Sequence, residues 1–386
     1  MEAISYQGLF HLSAGALAFV TMIAGLREWG LRRSLAAGIS EDRSNLEWHG
    51  VDSLTVVDII EETHDIKTFR LIRSEGRSFP TFQEGQFLTF QIPHGEGAVQ
   101  RSYSISSSSL NNKVLSVSIK KISEGIGSSW FHGLSIGDTV KAYNPNGLFI
   151  LGEEKYNSKT PQVLVAGGIG ITPFISMIQG VLDIGSTTPL YLFYGCRTED
   201  DMAFDLELKS LAKRYKNFHY TPVLSDAQGA WTGEKGFIGI HLIEKQIGDL
   251  NSAKYYFCGP PVMTDSLTEA LLDKGVGSEQ IHSEKFASPV SLDESTIESV
   301  QATVEVDGNV YSYNGKETLL EFFETQGLSI NYACRVGVCG ACKCKVESGE
   351  VDAFSDAGLT ADEKKNHYVL TCVSRPKGPL KIKLNN

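Results

Sequence analysis

The run Cys334-Arg335-Val336-Gly337-Val338-Cys339-Gly340-Ala341-Cys342, read together with Thr371-Cys372-Val373, decides how the last quarter of this 386-residue chain folds. Three cysteines spaced Cys-x4-Cys-x2-Cys with a distant fourth are the arrangement in which four thiolates hold a [2Fe-2S] cluster. Gly337, Gly340 and the small residues around them let backbone N–H groups close on an anionic cluster and donate to its sulfurs. Zinc sites present their ligands as two Cys-x2-4-Cys pairs, which this set does not, so zinc or unligated cysteines are the weaker alternatives. Cys334, Cys339, Cys342 and Cys372 are therefore the expected metal ligands, and the chemistry is electron transfer. Cys344, two residues past the third ligand, reads as a buried strand thiol with no part in the cluster.

A chain of this length has room for two to three domains, each with its own core. Its seven cysteines comprise the four expected ligands plus Cys196, Cys258 and Cys344, without the spaced even set of a disulfide framework, which favours a reducing compartment. A net charge of −11 and the lack of a basic block argue against nucleic acid as a partner. Leu9 to Leu26 is an uncharged apolar run of 18 residues followed by Arg27, Arg32 and Arg33. It has about the minimum length of a membrane span, and the arginines that follow favour an inner-membrane anchor with the large domains on the cytoplasmic side. A helix packed on the rest of the protein or on a partner is the alternative.

From residue 51 to about 155, short apolar or alternating runs (Thr55 to Ile60, Ile66 to Ile72, Phe87 to Ile92, Val114 to Ile119, Asp138 to Ala142) are separated by Gly, Pro, Ser and Asn, the pattern of a small β-barrel. Two segments in it carry chemistry. In Arg101-Ser102-Tyr103-Ser104, residues 101 and 103 share one strand face, so a guanidinium suited to phosphate stands beside a flat ring suited to an isoalloxazine. Gly125-Ile126-Gly127-Ser128 reads as a glycine turn entering a helix whose exposed N–H groups can meet phosphate. An ordinary strand and an ordinary helix cap are the plain alternatives. Between residues 160 and 288, strands (Pro161 to Ala166, Leu190 to Tyr194, Phe218 to Leu224, Lys254 to Phe257) alternate with helices (Ala203 to Tyr215, Val262 to Lys274), which reads as a doubly wound nucleotide domain. Its glycine loop, Gly167-Gly168-Ile169-Gly170-Ile171-Thr172-Pro173, leads from a strand into the Thr172 to Leu182 helix, where a pyrophosphate can meet backbone N–H groups.

Arg-x-Tyr-Ser at 101–104, Lys120 to Ser128, Gly167 to Pro173 and Cys258-Gly259-Pro260, in that order, resemble the signature of the ferredoxin-NADP reductase superfamily over about residues 50 to 288. With a plant-type ferredoxin domain joined at the C-terminus, the whole resembles the reductase components of Rieske-type oxygenases, hybrid-cluster proteins and phenylacetyl-CoA epoxidase systems. The resemblance implies that Arg101 contacts flavin phosphate, Tyr103 stacks on the isoalloxazine, Ser104 lies near its N5, and Lys120, Gly127 and Ser128 help hold the phosphates. It implies likewise that Gly168, Gly170 and Thr172 hold the pyridine nucleotide, that Cys258 lies beside the nicotinamide, and that Glu284 and Phe286 finish the wall of the flavin site. Ser104, Thr172, Cys258 and Glu284 form the expected catalytic set. Arg197 either reaches an adenosine 2′-phosphate or is a solvated arginine, so the choice between NADH and NADPH stays open. FAD is the expected flavin and FMN the runner-up.

The expected architecture is multidomain: a hydrophobic N-terminal segment (1–49), a flavin β-barrel (50–155), an α/β doubly wound NAD(P) domain (156–288), a polar linker (289–300) and an α+β β-grasp ferredoxin domain (301–386). The last domain is expected to carry a hairpin around Asp307-Gly308-Asn309 and a short helix over Leu319 to Thr325. The linker should keep cluster and flavin at high effective concentration without fixing one orientation. The expected function is an NAD(P)H-dependent reductase carrying electrons through FAD and the cluster to a separate acceptor: an oxygenase, a desaturase or a hybrid-cluster protein. A redox sensor or passive electron carrier is the alternative, and the intact set Ser104, Thr172 and Cys258 argues against it.

Overall fold

The computed structural model describes Trp48, residues 51–286 and residues 299–384, apart from positions 96, 230, 329, 333, 334, 336, 338, 339, 355, 357 and 360. The anchor expected at Leu9 to Leu26, the expected ligands Cys334 and Cys339, and most of the expected linker lie outside the described residues. No helix among the described residues is long and apolar enough to cross a membrane.

Strands β1 (Val51–Glu61), β2 (Ile66–Arg73), β3 (Phe87–His94), β4 (Gly97–Ser104), β5 (Leu115–Lys120) and β6 (Thr139–Tyr143) form one sheet in the order β4-β3-β6-β1-β2-β5. Every pairing in it is antiparallel. A bridge between Ile105 and Val117 joins the two outer strands' ends and curls the sheet into a barrel. Alternate residues such as Leu54, Val56, Phe69, Leu71, Leu88 and Phe90 point inward and are fully buried, as a period of two requires. Helix α1 (Ile126–His132) drops Phe131 onto this core, where it meets Phe69, Phe90 and Tyr103 edge to face at 5.3, 4.9 and 5.2 Å.

Strands β7 (Gln162–Gly167), β8 (Leu190–Cys196), β9 (Phe218–Leu224), β10 (Glu234–Lys235), β11 (Lys254–Cys258) and β12 (Ile281–Glu284) form an all-parallel sheet in the order β10-β9-β8-β7-β11-β12. Helices α2 (Thr172–Asp183) and α3 (Asp205–Arg214) cover one face, and α4 (Ile240–Ile247) and α5 (Pro261–Asp273) cover the other. With both faces covered, β7 and β11 read as nearly continuous apolar runs. Helix α4 has no counterpart in the sequence reading: it is only 8 residues long and starts at Gly239 with no side-chain cap. The chain winds outward from β7 to β10, then returns past β7 to lay down β11. The order therefore reverses beside β7, and at such switch points open α/β sheets hold ligands beyond the carboxyl ends of their strands.

Helix α2 also joins this domain to the barrel. Ser176 Oγ donates to the Ser107 carbonyl at 2.8 Å. A Cβ on Gly180 would lie 2.4 Å from Glu84 Cγ, so glycine makes room for a buried carboxylate that also accepts from Lys155 Nζ at 2.8 Å and from the Ser109 hydroxyl.

In the last domain β13 (Val300–Val306), β14 (Asn309–Gly315), β15 (Lys343–Ser348), β16 (Val351–Ala353), β17 (Tyr368–Leu370), β18 (Ser374–Pro376) and β19 (Leu380–Lys383) form a mixed sheet, β14-β13-β19-β15-β17, and a two-stranded ribbon, β16-β18. Asp307 (φ 49) and Gly308 (φ 87) make the left-handed two-residue turn of the β13–β14 hairpin. Helix α6 (Leu319–Thr325) starts at a capping box: Thr318 Oγ1 accepts from the Glu321 N–H, and the Glu321 carboxylate accepts from the Thr318 N–H. It packs Leu319, Phe322 and Phe323 onto the sheet.

Candidate functional site

The switch point brings the glycine loop against the Cys258-Gly259-Pro260 turn. Cys258 ends β11 opposite Ala166 of β7 on one side and Glu284 of β12 on the other. A Cβ on Gly170 would stand 2.1 Å from the Cys258 carbonyl oxygen, and one on Gly167 would stand 2.6 Å from Pro260 Cδ. The glycine loop and the Cys258-Gly259-Pro260 turn thus interlock through backbone, with Gly168 in the left-handed region at φ +54. Thr172 opens α2, is buried, and donates its hydroxyl to the Ile169 carbonyl at 3.1 Å. Burial, and then the nearby Glu284 charge, push the Cys258 thiol well above its ordinary range, so it stays neutral. Phe286, two residues past Glu284, is 46% exposed. At the end of β8, Arg197 is solvated, with Nε 3.7 Å from Asp201 Oδ2.

On β4 the side chains of Arg101 and Tyr103 share one face, and α1 lies directly against them: a Cβ on Gly127 would come within 2.6 Å of Tyr103 Oη and 2.8 Å of Arg101 Cγ. Gly127 is therefore what lets the helix backbone approach this pair. Burial pushes the Tyr103 phenol up to about 12 and lowers the Arg101 guanidinium. Arg101 Nη1 donates to the Gln100 carbonyl at 2.7 Å, and the buried Gln100 Oε1 has no protein partner. Ser104 is buried at the end of β4. Two expected phosphate contacts are committed elsewhere. Lys120 Nζ lies 3.0 Å from Asp65 Oδ2. Ser128 Oγ accepts from the Ile122 N–H at 3.1 Å and donates to the Gly125 carbonyl at 3.3 Å, locking the turn before α1.

In the last domain Cys342 and Cys372 are buried with their sulfurs 3.2 Å apart. That is far beyond the roughly 2.05 Å of a disulfide and close enough for both sulfurs to reach one metal ion. The pair is fixed by Thr371, whose N–H and hydroxyl both donate to the Cys342 carbonyl at 3.1 Å. Arg335, Gly337 and Gly340 have φ of 55, 76 and 71, which curls the loop, and a Cβ on Gly340 would meet the Gly358 carbonyl at 2.7 Å. The residues present thus fit an iron-sulfur cluster: paired buried sulfurs in a glycine-curled loop. Cys344 is fully buried inside β15. Arg101 and Cys372 line one cavity of about 250 Å³, together with Gln100, Thr318, Leu320 and Arg335. Sequence reasoning missed Asp65, Glu84 and Tyr143, because a partner more than fifty residues away leaves no local signal.

A barrel with an Arg-x-Tyr-Ser strand, a parallel sheet with its glycine loop at the switch point, and a domain with paired buried cysteines define a modular flavin and iron-sulfur oxidoreductase. Family models agree domain by domain: an oxidoreductase FAD-binding domain over residues 53–150, an oxidoreductase NAD-binding domain over 164–269 and a 2Fe-2S iron-sulfur cluster binding domain over 303–377. The chain is 30% identical over 348 residues to the ferredoxin reductase component of 3-ketosteroid-9-alpha-monooxygenase from Rhodococcus rhodochrous, covering 85% of this chain and 95% of that one. It is 28% identical over 355 residues to the glycine betaine monooxygenase reductase subunit of Chromohalobacter salexigens, covering 86% and 95%. The structure of phthalate dioxygenase reductase, described as modular for electron transfer from pyridine nucleotides to [2Fe-2S], superposes with a TM-score of 0.60 at 26% identity, covering 87% of this chain and 98% of that one. The chain belongs to the ferredoxin-NADP reductase superfamily, in the form that carries a C-terminal plant-type [2Fe-2S] domain. It is an NAD(P)H-dependent oxidoreductase that passes electrons through FAD and a [2Fe-2S] cluster to a separate acceptor.

Proposed function

We propose that the acceptor is an oxygenase component, in preference to a desaturase or a hybrid-cluster protein. The relatives named above are reductase partners of oxygenases, and they match this chain over nearly their whole length. The observation that supports the relay within the chain is the shared cavity: Arg101 of the flavin strand and Cys372, the proposed ligand, both line it. Bound FAD supplies the conversion of a two-electron hydride into single electrons, which a [2Fe-2S] cluster accepts one at a time. Arg101 holds flavin phosphate, Tyr103 covers the ring, and buried Ser104 donates toward N5. Gly168, Gly170 and Thr172 receive the nucleotide, while neutral Cys258, backed by Glu284, orients the nicotinamide and excludes water. Gly127 lets α1 approach the flavin, Lys120 and Ser128 shape the flavin pocket, and Phe286 closes its outer side. Solvated Arg197 is the contact for a 2′-phosphate, if NADPH is the donor. Cys334, Cys339, Cys342 and Cys372 hold the cluster.

Cys339→Ser tests the relay. It should remove the [2Fe-2S] absorbance and nearly all cytochrome c reduction while NAD(P)H–ferricyanide activity persists, because reduced flavin reaches ferricyanide directly. Cytochrome c reduction at the wild-type rate without a cluster would refute the relay. We propose further that residues 9–26 anchor the protein at the inner membrane, catalytic domains in the cytoplasm. Full-length protein should then sediment with membranes and resist high salt, whereas a chain starting near Ser44 should stay in the supernatant with ferricyanide activity intact. Recovery of the full-length chain without detergent would exclude the anchor.

A further inference from the structure

The linker alone would leave the cluster domain loosely tethered, yet the described contacts between it and the barrel are specific. Asn146 Nδ2, just past β6, donates to the Tyr332 carbonyl at 2.9 Å. The Arg335 guanidinium lies over the Tyr332 ring at 4.2 Å and, across the domain boundary, over the Tyr143 ring at 5.5 Å. Arginine stacks well on aromatic faces because its planar cation is weakly hydrated. Glu324 holds the same guanidinium from the α6 side, accepting from Nη1 at 3.1 Å. The Arg335 side chain is 14% exposed, and its backbone sits at φ +55, a strained setting for a non-glycine residue that persists only where the surroundings fix it.

On the barrel side Tyr143 is itself fixed. Its hydroxyl accepts from Gln91 Nε2 at 3.1 Å and Gln100 Nε2 at 3.5 Å. Gln100 in turn takes the Arg101 guanidinium on its carbonyl at 2.7 Å. A continuous set of contacts therefore runs from the flavin strand, through Gln100 and Tyr143, to the residue that follows Cys334 in the chain. We propose that Arg335 is the positioning residue that docks the cluster domain on the flavin barrel through Tyr143, so that flavin-to-cluster transfer crosses one fixed interface. In each crossing one electron leaves the reduced flavin and enters the oxidised cluster, and no bond to the protein forms or breaks. The inference rests on the flavin-to-cluster relay proposed above.

The test uses the full chain loaded with both cofactors, as wild type, Arg335→Gln, Arg335→Lys, Tyr143→Leu and the Arg335→Gln/Tyr143→Leu double variant. All should keep NAD(P)H–ferricyanide activity and the cluster's visible spectrum. Cluster reduction after rapid mixing with NAD(P)H should slow about tenfold in each of Arg335→Gln and Tyr143→Leu, with little further slowing in the double variant, because both break the same contact. Arg335→Lys should recover only part of the rate, since an ammonium does not stack as a guanidinium does. Hydrogen exchange at the Tyr332 and Arg335 amides should rise in Tyr143→Leu, a change that a purely local defect on β6 would not produce. Should Arg335→Gln lose its cluster, Tyr143→Leu, remote from the ligands in sequence, decides alone. Wild-type cluster reduction and wild-type exchange in Tyr143→Leu would overturn the proposal, as would effects that simply add. If the wild-type cluster were not reduced by NAD(P)H at all, the relay itself would be what fails.

Discussion

The nucleotide domain and the flavin barrel each prepare a surface for a phosphate-bearing cofactor, but from different material. At the switch point the surface is backbone: Gly167 and Gly170 press so closely on the Cys258-Gly259-Pro260 turn that side chains have no room, and Gly168 between them takes a left-handed φ of +54. On the barrel it is side chain: Arg101 and Tyr103 project from β4, and glycine enters only at position 127, where α1 rides over them. A backbone site is set by strand order and tolerates no addition. A side-chain site depends on which partner each group chooses, so it fails gradually and partner by partner.

The sharpest way to break this comparison is Gly170→Ala. The new methyl would lie 2.1 Å from the Cys258 carbonyl oxygen and 2.5 Å from its carbon, so the turn must move. Overpacking of this kind costs about 1–3 kcal/mol, and a displacement near 1 Å at a reacting centre costs on the order of 100-fold in rate. Stopped-flow mixing with NAD(P)H should show flavin reduction slowed about 100-fold while the bound flavin keeps its spectrum. A near-normal rate would mean the glycine loop is a packing device and not the nucleotide's seat.

Cys258→Ala sharpens the comparison from within the backbone site, because here a side chain has been added to it. Removing the thiol should slow flavin reduction about tenfold and change nucleotide affinity less than about threefold, the pattern of a group that acts on the reacting geometry. Since burial and Glu284 hold the thiol neutral far above its usual value, the wild-type rate should show no thiolate limb between about pH 6 and 9. An unchanged reduction rate in the variant would return Cys258 to a packing role.

The same contrast explains what could be read from the sequence. The backbone geometry at the switch point was legible because glycine spacing directly after an apolar run reports it: Gly167 and Gly170 lie against the Cys258-Gly259-Pro260 turn, and Gly168 takes a positive φ. The Asp307-Gly308 turn and the Leu319–Thr325 helix were legible for the same local reason. Helix α4 was not, since it is short and uncapped and takes its place from tertiary packing of Ile243. On the barrel the residue types were legible but their commitments were not: nothing near Lys120 announces Asp65, and nothing near Arg335 announces Tyr143. Long-range partners are chosen by the barrel's closure and by domain docking, which local patterning does not encode.

Ser128 is where the two accounts of the barrel separate most finely. The resemblance gives its hydroxyl to flavin phosphate, whereas the structure gives it to the Ile122 N–H and the Gly125 carbonyl. If the turn is its main task, Ser128→Ala leaves the Ile122 N–H without its acceptor in a half-buried setting. Losing a partly buried hydrogen bond costs about 0.5–1.5 kcal/mol, so the variant should unfold at a lower denaturant midpoint with an unchanged slope. Flavin affinity, measured by release of cofactor fluorescence on dilution, should then weaken less than about threefold, about 0.6 kcal/mol, because the hydroxyl is committed to the turn and gives the phosphate no hydrogen bond to lose. A tenfold loss of flavin affinity with unchanged stability would reverse the assignment. Ser128 would then be a phosphate ligand, and the barrel would hold its cofactor partly by the helix entrance, much as the nucleotide domain does.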